Sequence, residues 1–383
     1  MKGMGIQNGV FMSEQPRRRS SWRTFPLIGT LVAEWQTWRE QQKQPRYRQA
    51  PMPDDASKAP PYPIDMWPLL ALPFGTLDES GVPYNAQTQG YPATYQPTTI
   101  AQYALARWNV YLTTGDEEHR RAFMIQARWL VEHELRLADD AGGWPIPFPS
   151  YSYHTPESWL SALTQGNGIS VLARAYRLTD NAIFLDVARR AVRTFELDIR
   201  DGGVSTSLGE NGVFFEEVAV YPTAHILNGY ILALFGLYDY VALTGAIQID
   251  ALIRRSLTTL HTLIDAFDTG YWTRYDLRSR HLSTPFYHAL HVTLLEALAQ
   301  YSGCEHCAAL AKHWAGYKYS SSYYISTRLA QGRRKLLHTL SRGLITGENR
   351  MRTFYSEQPT HAFRGSDGLN PGSLNGRVTY EEN

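Results

Sequence analysis

Three times along the chain an apolar helical pattern stops in the same way: an aromatic residue, a Leu-Thr pair and a turn-forming residue. The stops are Trp108…Leu112-Thr113-Thr114-Gly115-Asp116, Tyr176-Arg177-Leu178-Thr179-Asp180 and Tyr240…Leu243-Thr244-Gly245, with the leucines 66 and 65 residues apart. After each stop a second helical stretch runs to a glycine turn: Gly142-Gly143-Trp144, Gly202-Gly203-Val204, Gly270-Tyr271-Trp272. Ile100, Ala104, Trp108 and Leu112 recur at helical spacing, as do Leu227, Ile231, Leu234 and Tyr238. Gly115, Asp180 and Gly245 supply helix stops, and Pro222 suits the first turn of the third unit. A single hairpin cannot bury its own apolar face, so repeated hairpins stack. The expected fold is all-α: an (α/α) toroid, or incomplete α/α barrel, over residues 96–320, with a cleft rimmed by the glycine-marked loops. An open α-solenoid is the alternative, although its shorter repeats usually lack long aromatic loops.

The flanks read differently. Residues 1–60 are rich in Gln, Arg, Ser and Pro and form an N-terminal extension, partly disordered, with one helix at about 30–41. Residues 61–95 lead into the toroid, and 321–383 make a loose polar tail. Hydrophobic residues at 43% and charged residues at 19% are those of a globular chain. A net charge of +1 carries no nucleic-acid or membrane signature, so any basic surface must be local. No stretch reads as long and apolar enough to span a bilayer. Arg17-Arg18-Arg19 is not followed by an apolar signal core, since Phe25-Pro26-Leu27-Ile28-Gly29 is too short. The expected location is therefore the cytoplasm or the cytoplasmic face of a membrane. Cys304 and Cys307 are too few for a disulfide scaffold or a four-cysteine zinc site, and read as two thiols in a helical surface segment. The 24 tyrosines and 10 tryptophans suit either a bulky core or stacking on sugar rings.

Five blocks carry a resemblance. Gly81-Val82-Pro83, Gln87 and Tyr95-Gln96-Pro97…Ile100-Ala101-Gln102-Tyr103-Ala104-Leu105 form the first. Trp159, Ala162, Gln165-Gly166, Ile169-Ser170 and Arg174-Ala175-Tyr176 form the second. Glu216-Glu217…Tyr221-Pro222-Thr223, Leu227-Asn228-Gly229 and Gly236-Leu237-Tyr238-Asp239 form the third. Asp268-Thr269-Gly270 with Tyr275-Asp276-Leu277-Arg278, then Tyr287-His288 with His291, complete the set. In this order, over residues 81–317, they resemble the catalytic C-terminal domain of the D-glucuronyl C5-epimerase family. One departure stands out: Val218-Ala219-Val220 interrupt the family's Glu-Glu-Tyr-Pro-Thr, so Tyr221 is displaced relative to the usual tyrosine. The vertebrate members' N-terminal β domains, with their dimer contacts and calcium site, have no counterpart in this reading. A homodimer is left open.

The resemblance implies inversion of C5 of D-glucuronate units to L-iduronate in a uronic-acid-containing polysaccharide, with no cofactor and no metal. Such a reaction removes a proton from one face of the ring and returns one to the other, so it needs two acid–base groups and donors on the substrate carboxylate. By resemblance, Glu217 is the carboxylate base, Tyr287 the group on the opposite face, and Tyr275 a further catalytic tyrosine. Acting as a base would require depression of the Tyr287 phenol from about 10 by positive charge, for which Arg278, His288 and His291 are candidates. Tyr221, Gln102, Tyr95 and Gln165 complete the expected substrate-binding set. Each residue has a plainer alternative. Glu216-Glu217 read equally as a solvated pair, Asp276 and Arg278 as a structural turn, and the histidines as core residues. Asn228 reads as a tie between helices. A His pair without His-Glu-x-x-His is a poor zinc motif. A uronate lyase, which begins with the same proton abstraction, and a non-catalytic glycan-binding protein stay open. A glycoside hydrolase is weaker, because it needs two suitably spaced carboxylates.

Overall fold

The computed structural model describes residues 46–50, 60–87, 91–210 and 212–317. The helix expected at 30–41 and the tail from 321 lie outside them. Eight α-helices occur among the described residues, as four consecutive hairpins: α1 (Pro97–Thr114) with α2 (Glu117–Glu132), α3 (Ala162–Thr179) with α4 (Ala182–Glu196), α5 (Leu227–Thr244) with α6 (Ile247–Phe267), and α7 (Pro285–Ser302) with α8 (Glu305–Ala315). The odd-numbered helices pack side by side in sequence order, and the even-numbered helices back them from outside. The chain is the expected incomplete α/α barrel. The repeat read from sequence missed its fourth unit, where Tyr301-Ser302-Gly303 replaces the Leu-Thr-turn ending.

Each odd-numbered helix stops on a residue in the left-handed region: Gly115 (φ 70°), Asp180 (φ 56°), Gly245 (φ 68°) and Gly303 (φ 67°). The start of α5 differs from expectation. Pro222 falls short of the helix, which begins at Leu227 without a side-chain cap. Helix α5 is apolar almost all round, and by length and composition it alone among the described residues could cross a bilayer. Here that surface is spent on packing, because α3, α6 and α7 surround it. Against α3 the approach is backbone on backbone: a Cβ on Gly236 would lie 2.2 Å from the Gly166 carbonyl oxygen.

The lead-in belongs to this body. Tyr62 is fully buried; its hydroxyl donates to Asn167 Oδ1 (3.0 Å) and its N–H to Asn109 Oδ1 (2.8 Å). Arg174, also buried, donates to Asp239 Oδ2 (2.6 Å) and to the Pro61 carbonyl (3.0 Å). These contacts close the end of the barrel at which the odd-numbered helices terminate. On the side between α7 and α1 the ring is bridged by a two-stranded pair, β1 (Arg48–Gln49) with β2 (Ile64–Asp65).

Short hairpins decorate the opposite end: β3 (Gly75–Leu77) with β4 (Pro83–Asn85), β5 (Leu135–Arg136) with β6 (Gly142–Gly143), and β7 (Ser205–Leu208) with β8 (Gly212–Phe215). The loops between hairpins gather there, where the odd-numbered helices begin.

Candidate active site

Strand β8 runs directly into Glu216 and Glu217. Successive side chains of an extended segment point to opposite sides, and the two carboxylates part accordingly. Glu216 is fully buried, accepting from Thr206 Oγ1 (2.8 Å) and the His225 N–H (3.1 Å), with His225 Nδ1 at 2.6 Å. Its main-chain carbonyl also takes the Ala162 N–H at the start of α3. Glu217 turns the other way, onto the first turn of α5. Oε2 accepts from Asn228 Nδ2 (3.0 Å), and the Gly229 N–H also reaches the carboxylate. Glu217 thereby supplies the acceptor that α5 lacks at its cap, where the helix dipole favours negative charge. Gly229 is required for this approach, because a Cβ there would lie 2.2 Å from Oε2.

The loop after α6 returns across this helix start, bridging Asp276 to Ile226, with the Leu277 N–H donating to the Ala224 carbonyl. That path brings the Tyr275 hydroxyl to 3.4 Å from Glu217 Oε1. Tyr287, in the first turn of α7, meets Tyr275 edge to face with centroids 4.7 Å apart, and the two phenols are hydrogen-bonded. The three residues expected to be catalytic therefore form one cluster, although the segment after β8, the α6–α7 loop and α7 supply them separately.

A third phenol, Tyr153 from the loop after β6, joins them without any signal in the sequence. Its hydroxyl lies 3.4 Å from Asp276 Oδ2, close enough to Glu217 and Tyr287 to feel their charge. Asp276 is buried and bonds Ser279 through its N–H (2.5 Å) and Oγ (2.6 Å), not Arg278.

Electrostatics assign states. Desolvation pushes the Glu217 carboxyl up to about 7, with Asp276 adding to the rise and the bonds from Tyr275, Gly229 and Asn228 opposing it. The Tyr287 phenol is raised, by desolvation first and then by Glu217; Tyr275 is raised for the same reasons. This reverses the expected depression of Tyr287. The groups proposed to cause it do not reach it as cations. His291 is fully buried with Nδ1 3.1 Å from Thr273 Oγ1, and burial lowers it to about 3. His288 stacks on Trp272, shares Thr273 Oγ1 (3.0 Å), and is lowered by burial to about 4. Both are neutral core residues. Arg278 is exposed and donates to the Pro222 carbonyl (3.1 Å).

The other expected ligands scatter. Gln165 is buried and clamps the Trp144 backbone through both ends of its amide (3.1 Å each). Tyr221 is half exposed on the rim, with the Arg200 guanidinium 5.9 Å from its ring centroid. Tyr95, also on the rim, donates to Asp78 Oδ2 (2.7 Å). Gln102 lies half-buried on the second turn of α1. Asn228, read from sequence as a tie between helices, instead holds the Glu217 carboxylate.

Comparison with known proteins gives this geometry a context. Residues 138–316 match the model of a family described as D-glucuronyl C5-epimerase C-terminus. The D-glucuronyl C5-epimerase of Caenorhabditis elegans is 33% identical over 230 residues, which are 54% of this chain and 36% of that protein. The chain thus spans about a third of that relative's length. An uncharacterized protein of Methanocaldococcus jannaschii is 23% identical over 261 residues, covering 61% of this chain and 84% of the relative. Among solved structures, a sugar epimerase from a ruminal bacterium is similar with a TM-score of 0.47 and 14% identity, over 64% of this chain and 66% of that one.

Proposed function

Residues 138–316 belong to the D-glucuronyl C5-epimerase C-terminus family, and from that premise we propose that the chain inverts C5 of glucuronate units in a polysaccharide. The observation that carries the reading is the meeting of the Glu217 carboxyl with the Tyr275 and Tyr287 phenols in one cluster, where desolvation raises the carboxyl to about 7 and raises both phenols. A general base works best when its pKa lies near the operating pH, and Glu217 meets that condition. Its carboxylate takes the C5 proton, and the electron pair delocalises into the neighbouring uronate carboxylate as an enediolate. The Tyr287 phenol then returns a proton to the opposite face. Tyr275 and Tyr153, both held protonated, are donors for the charge that builds on the substrate carboxylate. Turnover leaves Glu217 protonated and Tyr287 as phenolate, and exchange with solvent resets both.

Incubation with glucuronate polymers in deuterated water tests the reading. Expected are deuterium at C5, a mixture of glucuronate and iduronate, and unchanged chain length. Shortened chains bearing an ultraviolet-absorbing unsaturated uronate would assign a lyase instead. Absence of C5 exchange in every uronate polymer tried would remove the catalytic reading.

A further inference from the structure

At the opposite end of α7 from Tyr287, Cys304 and Cys307 stand at the start of α8. Cys304 is its N-cap, and its Sγ accepts the Cys307 N–H (3.0 Å). The two sulfurs are joined as a disulfide. A third donor, which sequence spacing does not indicate, comes from α6: His261 Nε2 lies 3.2 Å from Cys304 Sγ and 3.9 Å from Cys307 Sγ. All three donor atoms lie within 4.8 Å of one another.

These spacings have a chemical meaning. In a tetrahedral zinc site, with Zn–S of about 2.3 Å and Zn–N of about 2.0–2.1 Å, neighbouring nitrogen and sulfur ligands stand roughly 3.6 Å apart. The two nitrogen–sulfur distances bracket that value. Cys307 is buried, Cys304 half-buried and His261 exposed, so the would-be centre opens to solvent on the imidazole side.

We propose that, once the disulfide is reduced, Cys304 Sγ, Cys307 Sγ and His261 Nε2 bind one zinc-class divalent ion, leaving the fourth position to water. Reduction consumes two thiols of an external reductant, which leave as its disulfide, and yields the Cys304–Cys307 dithiol. Binding then releases two protons as both sulfurs become thiolates. The ion would pin α8, the outer helix of the last hairpin, to α6. The site is separate from Glu217 and its phenols, so the inference does not rest on the proposed catalysis.

The test uses the full chain with cobalt(II) as the probe, titrated anaerobically after phosphine reduction and back-titrated with zinc. Expected are one equivalent, a near-ultraviolet thiolate-to-cobalt band displaced by zinc, and a higher melting temperature with metal. His261→Ala, at an exposed position, should fold normally and bind roughly 100-fold more weakly, the upper end of what even loss of a ligand's hydrogen-bond partner causes. Cys307→Ser, checked for helix content by circular dichroism, should lose the band. Absence of the band in the reduced wild type, equal binding by His261→Ala, or equal binding by the oxidised protein would each overturn the proposal.

Discussion

Removing the Asn228 side chain interrogates the proposed base directly. Asn228 Nδ2 donates to Glu217 Oε2 at 3.0 Å, while Oδ1 has no hydrogen-bond partner among the described residues. Asn228→Ala therefore deletes one hydrogen bond, and that bond favours the charged carboxylate. Hydrogen bonds to charged groups contribute about 1.5–3 kcal/mol, and part of this persists when the acceptor is protonated. A differential of about 1.4 kcal/mol corresponds to roughly one pH unit. The Glu217 carboxyl, already at about 7, should titrate near 8 in the variant, about one unit higher. In the proposed mechanism Glu217 must be ionised to abstract a proton, so kcat/KM for C5 exchange should rise with pH through this value. The assay is deuterium incorporation into a glucuronate polymer, measured from pH 5 to 9 for both proteins. Below the wild-type midpoint the variant should be roughly tenfold slower, and above the shifted midpoint the two should converge. A uniform loss at every pH, or an acidic limb unmoved by the substitution, would refute the assignment of Glu217 as the titrating base.

Glu217→Gln and Tyr287→Phe should each lower C5 exchange by about 10² to 10⁴-fold with unchanged helix content, as general acid–base groups typically do; wild-type exchange would acquit either residue. The stability of the two Glu217 forms gives a separate check. A carboxyl raised from 4.5 to about 7 on folding binds its proton more tightly in the native state, so this group's contribution to stability is full below pH 4.5 and is lost as pH rises through 7. Glu217→Gln should escape that fall, gaining up to about 3 kcal/mol over wild type across the window in denaturant titrations. Gly229→Ala should push the carboxylate off α5 and lose exchange together with about 1–3 kcal/mol of stability, both read from the purified variant. Gly236→Ala, placing a methyl against the Gly166 backbone, should lower the melting temperature by several degrees, measured calorimetrically.

The hairpin repeat was legible because it is local chemistry. A stop at Gly115, Asp180 or Gly245 needs only the residue that tolerates the left-handed region, and the apolar spacing before it needs only the helical period. The fourth hairpin escaped because Tyr301-Ser302-Gly303 spells its stop differently. Family resemblance named Glu217, Tyr275 and Tyr287, which the fold brings together, but it did not carry their charge states. Whether a phenol is depressed or raised depends on what surrounds it in space. Burial of His288 and His291 against Thr273 removes the cations that their nearness in sequence to Tyr287 had promised. Tyr153 and His261 carry no signal at all, since each meets its partners only after distant loops or helices pack together. Local propensity and pattern thus determined the helices and their order. Desolvation and long-range contact, which exist only in the folded chain, decided which side chains meet and which of them hold a proton.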